Sequence, residues 1–393
     1  MATTAERVRS YSGPAILSFG FRPFFLSAAL WAALAMVLWV PVLAGQLVLP
    51  TAFGPVEWHS HELLYGFVPA AIAGFLLTAV PNWTGRLPVT GMPLLTLYLL
   101  WVAGRVAVIT SDWVGAPLAA IIDLSFLAVL ALVVAREIIA GKSTRNLKVL
   151  IVLGLLFIGN VAFHAQVVFG MTGGFGVRIG ISAVVLLIML IGGRIIPSFT
   201  RNWLVRQGPG RLPVPFSRFD VAVMAFSGAA LAFWIVLPEA DATAALAVLA
   251  GLLNVVRLGR WAGERTAAEP LVIVLHVAYA FIPLGFLLLA ASIWAPDVLL
   301  PSGALHAWTA GAIGLMIMAV MTRASLGHTG QPLTATWGIS AIYIATFVAA
   351  AARIVAAFDI AREPMLHLSA TAWVLGFAGF AVIYAPLLTK PRP

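Results

Sequence analysis

The residues with the clearest potential for chemistry stand in the stretch WHSHE, residues 58–62. This stretch places His59, His61 and Glu62 at the start of a segment that is otherwise apolar as far as Val80. Two imidazoles and a carboxylate are costly to insert into lipid, and neutral imidazole is the commonest metal ligand. Residues two apart on an α-helix point in directions about 200° apart. We therefore expect one histidine to bind a metal while the other turns to a neighbour or to a second metal.

Four further histidines are candidate metal ligands. His164 and His306 are predicted at the outer ends of their helices, in the same layer as the WHSHE pair. His276 and His328 are predicted on the inner side, with His328 in a loop, and two imidazoles with a third donor suffice for copper. The alternative is that each imidazole is simply an amphipathic group at headgroup depth.

The elements that position these side chains are predicted to be membrane helices. The 393 residues are 62% hydrophobic and 9% charged, with a mean hydropathy of +1.04, more apolar surface than one water-soluble core can hide. The sequence thus predicts an all-α integral membrane protein, a single polytopic domain over residues 1–393. Its twelve apolar stretches of spanning length are 22–42, 57–80, 91–110, 114–140, 147–170, 176–198, 218–238, 241–260, 270–294, 304–326, 334–358 and 365–388.

The charges predict how the helices are oriented. Lys and Arg residues cluster at every second boundary between spans, and the intervening loops carry acidic residues or no basic residue. The positive-inside rule then places both termini, including segment 1–20, in the cytoplasm. Because the basic residues are dispersed, the net charge of +9 does not indicate nucleic-acid binding. The absence of cysteine excludes disulfides and thiolate metal sites.

A repeated motif relates three of the predicted helices. Thr84, Thr200 and Thr329 close spans 2, 6 and 10, and each follows a Thr or Arg by six residues. His61 and His306 are each followed five residues later by a glycine. The pattern predicts three four-helix units in a pseudo-threefold arrangement, with spans 2, 6 and 10 in equivalent positions.

The longest motifs resemble the NnrS family, membrane proteins of denitrifying and other bacteria. The resemblance implies haem and copper as cofactors, nitric oxide as a partner and a role in nitric oxide metabolism or nitrosative stress. It also implies the bacterial inner (cytoplasmic) membrane, with lipid around the helices. Whether nitric oxide is substrate, ligand or inducing signal stays open. The residues that carry the resemblance are SFGFRPFFL, WHSHELLYGF, NWTGRLPVTG, FHAQ, GGRIIPSFT and HAWTAGAIGLMIMAVMTRASLGHTGQPL.

The plan of twelve helices also looks like that of the haem-copper oxidase catalytic subunit. That likeness implies that His61 or His59 and His306 are axial ligands of one haem. Spans 6 and 7 contain no histidine, so the copper site of the oxidases does not carry over. Copper ligands must then come from His164, the unused histidine of the WHSHE pair, His276, His328 or a methionine.

Three arginines are predicted in the outer halves of spans, namely Arg105, Arg178 and Arg353. Haem carries two propionates, and guanidinium groups bind carboxylates in bidentate geometry. The alternative is snorkelling to the outer headgroups, and for Arg105 an ion pair with Asp123 in span 4.

A secondary transporter is the competing function, because many carriers also have twelve helices and cytoplasmic termini. Carriers usually divide into two similar halves with broken helices near the midplane. This sequence instead repeats spans 2, 6 and 10 and places its polar groups toward the outer face. A Soret band in the purified protein distinguishes the two functions.

Overall fold

A computed structural model describes residues 11–391, and these fold into helices joined by turns and loops. Twelve of the helices are long and apolar enough to span a membrane, as predicted, so the chain is a multi-pass membrane protein. We number them α1 to α12: Phe21–Leu43, Pro55–Thr84, Met92–Ile109, Ala116–Ala140, Thr144–Phe169, Phe175–Leu204, Arg218–Val236, Asp241–Gly259, Pro270–Trp294, Ser302–Thr329, Trp337–Ala356 and Arg362–Thr389.

Burial separates the helices into two groups. In α2, α6, α9 and α10, between 72% and 83% of the most apolar 18-residue window is buried, whereas in the other eight helices the share is 33% to 44%. A helix with about a third of its residues buried presents most of its apolar surface outward, as a lipid-facing helix does. Trp337, which is 93% exposed at the start of α11, suits an interfacial position.

The three helices with the repeated motif each contain a π-helical segment. These segments are Glu62–Phe67 in α2, Ile188–Gly192 in α6 and Ala307–Gly314 in α10. In α2 and α10 the segment begins 22 residues before the closing threonine, directly after His61 and His306 respectively, whereas in α6 it begins 12 residues before. Short π-helical segments are frequent at functional sites. In both α2 and α10 the backbone thus changes from α-helix to π-helix directly after the histidine.

The chain divides into two compact units by its internal contacts. Unit 1 comprises residues 11–183, 324–331 and 377–391, and unit 2 comprises residues 184–323 and 332–376, within the described part. The single polytopic domain and the pseudo-threefold arrangement therefore stay predictions. The predicted N-terminal segment 1–20 is described only from residue 11, and its side of the membrane stays a prediction as well.

Unit 1 holds both ends of the described chain together. Arg22 at the start of α1 donates to the carbonyl oxygens of Leu388 and Lys390, at 3.1 and 2.7 Å, and so caps the end of α12. Cations stabilise helix C-termini because the last carbonyls have no partner within the helix.

Candidate metal site

A buried group of polar side chains lies within unit 1, where α2, α3, α4 and α5 contribute to it. Each of its members lies within ten residues of an end of its helix, at the ends predicted to face outward. All have relative exposures of 4% or less. We call this group the His–Asp cluster, and it consists of His61 and Glu62 from α2, Arg105 from α3, Asp123 from α4, and Asn160 and His164 from α5.

Asp123 is the centre of the cluster. Its Oδ2 atom lies 3.3 Å from Nε2 of His61 and 3.0 Å from Nε2 of His164. The same oxygen accepts a hydrogen bond of 2.8 Å from the amide of Asn160. Its Oδ1 atom accepts from Arg105. One carboxylate thus joins four side chains from three helices.

Glu62 forms the second half of the cluster. Its Oε1 atom lies 3.0 Å from Nδ1 of His61, and its Oε2 atom accepts from Arg105 at 2.7 Å. Arg105 therefore bridges the two carboxylates. Gly66 makes room for this bridge, because a Cβ atom there would collide with Nη1 of Arg105.

His61 has acceptor atoms at both ring nitrogens. Nδ1 faces the carboxylate of Glu62, and Nε2 faces both Asp123 Oδ2 and, at 3.2 Å, the Oδ1 atom of Asn160. A neutral imidazole has one N–H, so it donates on one side and presents a lone pair to oxygen on the other. The mismatch is removed by a second ring proton or by a cation near Nε2.

The charges of the cluster give the same result. Glu62 and Asp123 carry two negative charges, and Arg105 carries one positive charge. With both imidazoles neutral, the cluster holds a net charge of −1 within membrane-spanning helices, where an uncompensated charge is expensive. A second ring proton or a copper(I) ion makes the cluster neutral, and a divalent ion leaves a net charge of +1.

The donor atoms fit a small metal ion. One ligand atom each from His61, Asp123 and His164 lies within 4.8 Å of the others, and among residues 11–391 this is the group of three that meets that condition. The hydrogen bond of Nδ1 to Glu62 fixes the tautomer that offers Nε2 as a ligand, as carboxylate–histidine pairs do at metal sites. Two imidazoles and a carboxylate suit copper, zinc or iron.

His59 points away from the cluster. Its ring stacks on Trp39 at a centroid distance of 4.0 Å, with the planes 26° apart. The divergence expected for residues two apart on a helix is therefore observed, because α2 stays helical at both positions.

His306 has a different environment in unit 2. Its Nδ1 atom lies 2.8 Å from the carbonyl oxygen of Ser302, one turn earlier in α10. The Nδ1–H donates to this carbonyl, so the lone pair is on Nε2, the tautomer of many metal-binding histidines. His306 is half-buried, and the residue after it is an alanine where α2 has Glu62.

The predicted propionate-binding arginines are in three different settings. Arg105 is already paired with two carboxylates, as the alternative of an ion pair with Asp123 foresaw. Arg178 is half-buried near the start of α6 and lies over the ring of Phe175 at 4.9 Å. Arg353 is half-buried in the last turn of α11. Haem binding by these three arginines stays a prediction.

The two histidines of the predicted inner site have separate partners. His276 lies in unit 2, is 5% exposed, and has Nε2 at 2.7 Å from the hydroxyl of Thr200. His328 lies in unit 1 and packs against the rings of Phe19 and Phe21, each at 5.6 Å. The prediction that His328 lies in a loop is wrong. It belongs to the last turn of α10, because the left-handed residue that ends this helix is Gly330, with φ of 79°.

The sequence does not identify three members of the cluster as parts of a metal site. It predicts Asp123 only as an ion-pair partner of Arg105 and Glu62 only as a costly charge, and Asn160 resembles the amides that commonly link membrane helices. The usable signal for Glu62 was its position next to His61, since a carboxylate beside an imidazole is a common outer-shell partner of a metal ligand.

A comparison with protein families gives one match that covers nearly the whole chain. The family model described as NnrS protein matches residues 15–392. Among curated proteins, none matches the chain.

Proposed function

The chain belongs to the NnrS family, and from this premise we propose that it is a membrane metalloprotein of nitric oxide metabolism or the nitrosative-stress response. In this proposal His61, Asp123 and His164 bind a copper ion, and Glu62 orients His61. The observation that carries the proposal is the mismatch at His61, whose two ring nitrogens both face oxygen acceptors.

Copper is the metal that this donor set favours among the divalent ions of the first transition row. Imidazole binds copper readily, and copper stands at the top of the divalent affinity order. The same set of two histidines and one carboxylate also occurs in iron(II) sites. Metal analysis therefore has to include iron and zinc beside copper.

The protein's own residues prepare the site in three ways. Glu62 holds Nδ1 of His61, so that Nε2 is directed to Asp123. Arg105 keeps the two carboxylates in place and compensates one negative charge. Phe53 lies against both imidazoles and Phe163 lies against that of His61, with ring centroids 5.2 to 5.7 Å apart, and these two rings exclude water. The chemistry that a bound copper ion supplies is coordination of a small ligand such as nitric oxide.

Haem belongs to the proposal through His306. The hydrogen bond from Nδ1 to Ser302 leaves the lone pair on Nε2, which would hold the haem iron, whereas His61 is already engaged in the cluster. We therefore assign copper to His61 and His164 and haem to His306, instead of one haem held between His61 and His306. Arg353, which lies in unit 2 with His306, is the candidate partner of the haem propionates, because Arg105 is occupied by Glu62 and Asp123.

The test is metal and haem analysis of the full-length protein purified in detergent. His61→Ala and His164→Ala should each remove copper and leave the Soret band. His306→Ala should remove the Soret band and leave copper. The matched control is His367→Ala, because His367 is an exposed histidine of α12.

Three results would contradict the proposal. A wild-type protein with neither haem nor a bound transition metal favours the secondary transporter. Copper that survives both His61→Ala and His164→Ala contradicts the copper site in the His–Asp cluster. Loss of haem in His61→Ala as well as in His306→Ala favours the assignment of one haem to both histidines.

We also propose the bacterial inner membrane as the location, with both termini in the cytoplasm. The support is the alternation of basic and non-basic loops in the sequence. Fusions of a reporter enzyme to the loops after α1 and α2 should report opposite sides.

A further inference from the structure

The loop between α1 and α2, residues 44–54, covers one end of the His–Asp cluster. Its residue Phe53 is 5% exposed, and the ring of Phe53 lies 5.2 Å from that of His61 and 5.7 Å from that of His164. The residue before it, Ala52, is exposed. Phe53 is thus the side chain through which this loop shields both imidazoles from the surroundings.

Hydrogen bonds tie the loop to the end of α3. Ser111, in the connection between α3 and α4, accepts from the backbone N–H of Ala52 at 2.8 Å, and its hydroxyl oxygen lies 3.2 Å from that of Thr51. The hydroxyl of Thr51 also donates to the carbonyl oxygen of Val108 at 2.8 Å. Residues 44–54 themselves form neither helix nor strand. These bonds and the burial of one aromatic ring therefore hold the loop on the cluster.

A ligand reaches the cluster only when part of its enclosure opens, because every member of the cluster is 4% exposed or less. Helices α2 to α5 supply the members, and a helix opens only when a run of its backbone hydrogen bonds breaks. Irregular segments at the surface open at a lower free energy. The loop 44–54 is therefore the wall of the cluster that opens most readily.

The charges beside the loop favour the entry of a cation. Glu57, in the first turn of α2, accepts from the N–H of Gly54 at 2.9 Å, and Asp112 donates its backbone N–H to the carbonyl oxygen of Pro50 at 3.2 Å. Both acidic residues are exposed, and the loop itself contains no basic residue. A negative entrance raises the local concentration of cations.

We propose that Phe53 is the gate of the His–Asp cluster. Outward movement of loop 44–54 admits the metal ion, and the return of the Phe53 ring closes the site to water. The inference rests on the proposed function for the identity of the ion, whereas the gate itself follows from the packing of the loop.

The test measures how fast a cluster imidazole reacts in the full-length, metal-free protein in detergent. Diethyl pyrocarbonate modifies neutral imidazoles, and peptide mass spectrometry gives the rate at His164 relative to that at the exposed His367. Phe53→Ala should raise this ratio about 10- to 100-fold, because the burial of one phenylalanine side chain is lost. Phe126→Ala is the matched control, since Phe126 is a phenylalanine of α4 that is 3% exposed, and its ratio should stay near that of the wild type.

A disulfide between the loop and its anchor gives a reversible test. The chain contains no cysteine, and the hydroxyl oxygens of Thr51 and Ser111 are 3.2 Å apart, so Thr51→Cys combined with Ser111→Cys introduces one disulfide. The oxidised protein should show a lower ratio than the wild type. Reduction should raise the ratio about fivefold above the wild type, the effect of one lost hydrogen bond. Thr51→Cys alone is the control, and its ratio should not respond to the reductant.

Copper uptake by the metal-free protein separates the gate from the proposed function. Uptake should be faster in Phe53→Ala than in the wild type and in Phe126→Ala. A raised modification ratio in a protein that binds no copper at all supports the gate and contradicts the copper site.

The gate is overturned by any of three results. The first is the same modification ratio in Phe53→Ala and Phe126→Ala. The second is the same ratio in the oxidised and the reduced double cysteine variant. The third is copper uptake by Phe53→Ala at the wild-type rate, which would place the entry of the metal elsewhere.

Discussion

Each unit contains, in the part of the chain that the structure describes, a buried polar network built around an Arg–Asp pair in the membrane-spanning helices. In unit 1 it is the His–Asp cluster, with Arg105 and Asp123. In unit 2 Arg257 pairs with Asp220 at 3.1 Å and donates to Tyr279 at 2.9 Å. We call the second group the Arg257 network, and its other members are Asn254, Ser227 and Tyr279.

The two networks differ in how donors match acceptors. In the Arg257 network the hydroxyl of Tyr279 donates to Asn254, and the amide of Asn254 donates to Ser227. Asp220 is balanced by Arg257, with Arg260 3.7 Å away as a second cation. The hydrogen bonds of this network run from donor to acceptor and no negative charge is in excess, while one nitrogen of Arg257, Nη2, is buried without a hydrogen-bond partner. In the His–Asp cluster acceptors face both nitrogens of His61, and one negative charge is in excess.

The contrast between the two networks shows which features of a buried polar group indicate a binding site in a membrane protein. Polar burial by itself also occurs in networks that link helices, where amide and hydroxyl groups hold the helices together. A mismatch of acceptors together with uncompensated charge indicates that a cation or a proton is needed. The first network is therefore the candidate binding site, and the second is the structural reference.

The largest expected effect comes from removing the central carboxylates. Asp123→Ala and Asp220→Ala each break a buried ion pair, which costs roughly 3–5 kcal/mol. Thermal unfolding in detergent should therefore show strong destabilisation of both. Only Asp123→Ala should also lose the metal. If the two variants retain the same metal content, the distinction between the networks is wrong. Asp123→Asn and Asp220→Asn repeat the comparison if the alanine variants fail to fold.

A second comparison uses the equivalent glycines in the π-helical segments of α2 and α10. A Cβ at Gly66 would collide with the guanidinium of Arg105, whereas a Cβ at Gly311 would collide with the ring of Phe281. Gly66→Ala should displace Arg105 and lower metal affinity by about 10- to 100-fold, the usual range for outer-shell changes. Gly311→Ala should cost about 1–3 kcal/mol of stability through overpacking and leave metal affinity unchanged. Competition titration with a chelator measures the affinity, and equal affinities in the two variants would refute the bridge.

Glu62 gives a smaller and more specific effect. Glu62→Gln keeps an acceptor for Nδ1 of His61 but removes the charge, so we expect a loss of about tenfold in metal affinity. Glu62→Ala removes the acceptor too and should lose more. The same titration checks the order of the two variants. A Glu62→Gln protein with wild-type affinity would show that the charge of Glu62 does not act on His61.

The smallest effect is expected in the Arg257 network. Tyr279→Phe removes one hydroxyl that both accepts from Arg257 and donates to Asn254. Each of these two hydrogen bonds contributes about 1 kcal/mol to the free energy of unfolding. The unfolding temperature should therefore fall by a few degrees. Metal content should not change. A metal loss in Tyr279→Phe would mean that the Arg257 network also belongs to a binding site.

The sequence predicts the helices well because spanning length and hydropathy define them. It also singles out His61, His164, Arg105 and Asp123 as costly groups, and it offers the pairing of Arg105 with Asp123 as one alternative. The sequence does not predict that the carboxylate of Asp123 in α4 contacts side chains from three other helices. In helices that are apolar on all sides, hydrophobic periodicity gives no direction for a face. Packing alone brings Asn160 and His164 to Asp123.

The predicted inner site at His276 and His328 rests on depth alone, because the two histidines belong to consecutive antiparallel helices. In unit 2, His276 lies 2.7 Å from the hydroxyl of Thr200, and in unit 1, His328 packs against two phenylalanines. Depth assigns a residue to a layer but gives its side chain no direction, so the inner site stays a prediction.

The most direct test of the metal site is a count of the imidazoles bound to copper. Pulsed electron paramagnetic resonance on the copper(II)-loaded, full-length protein detects the remote nitrogen of each coordinated imidazole. We predict two imidazoles in the wild type and in His59→Ala. The His61→Ala and His164→Ala proteins, which should lose copper on purification, should each show one imidazole when they are reloaded with an excess of copper(II). A count that is the same in wild type, His61→Ala and His164→Ala would contradict this prediction.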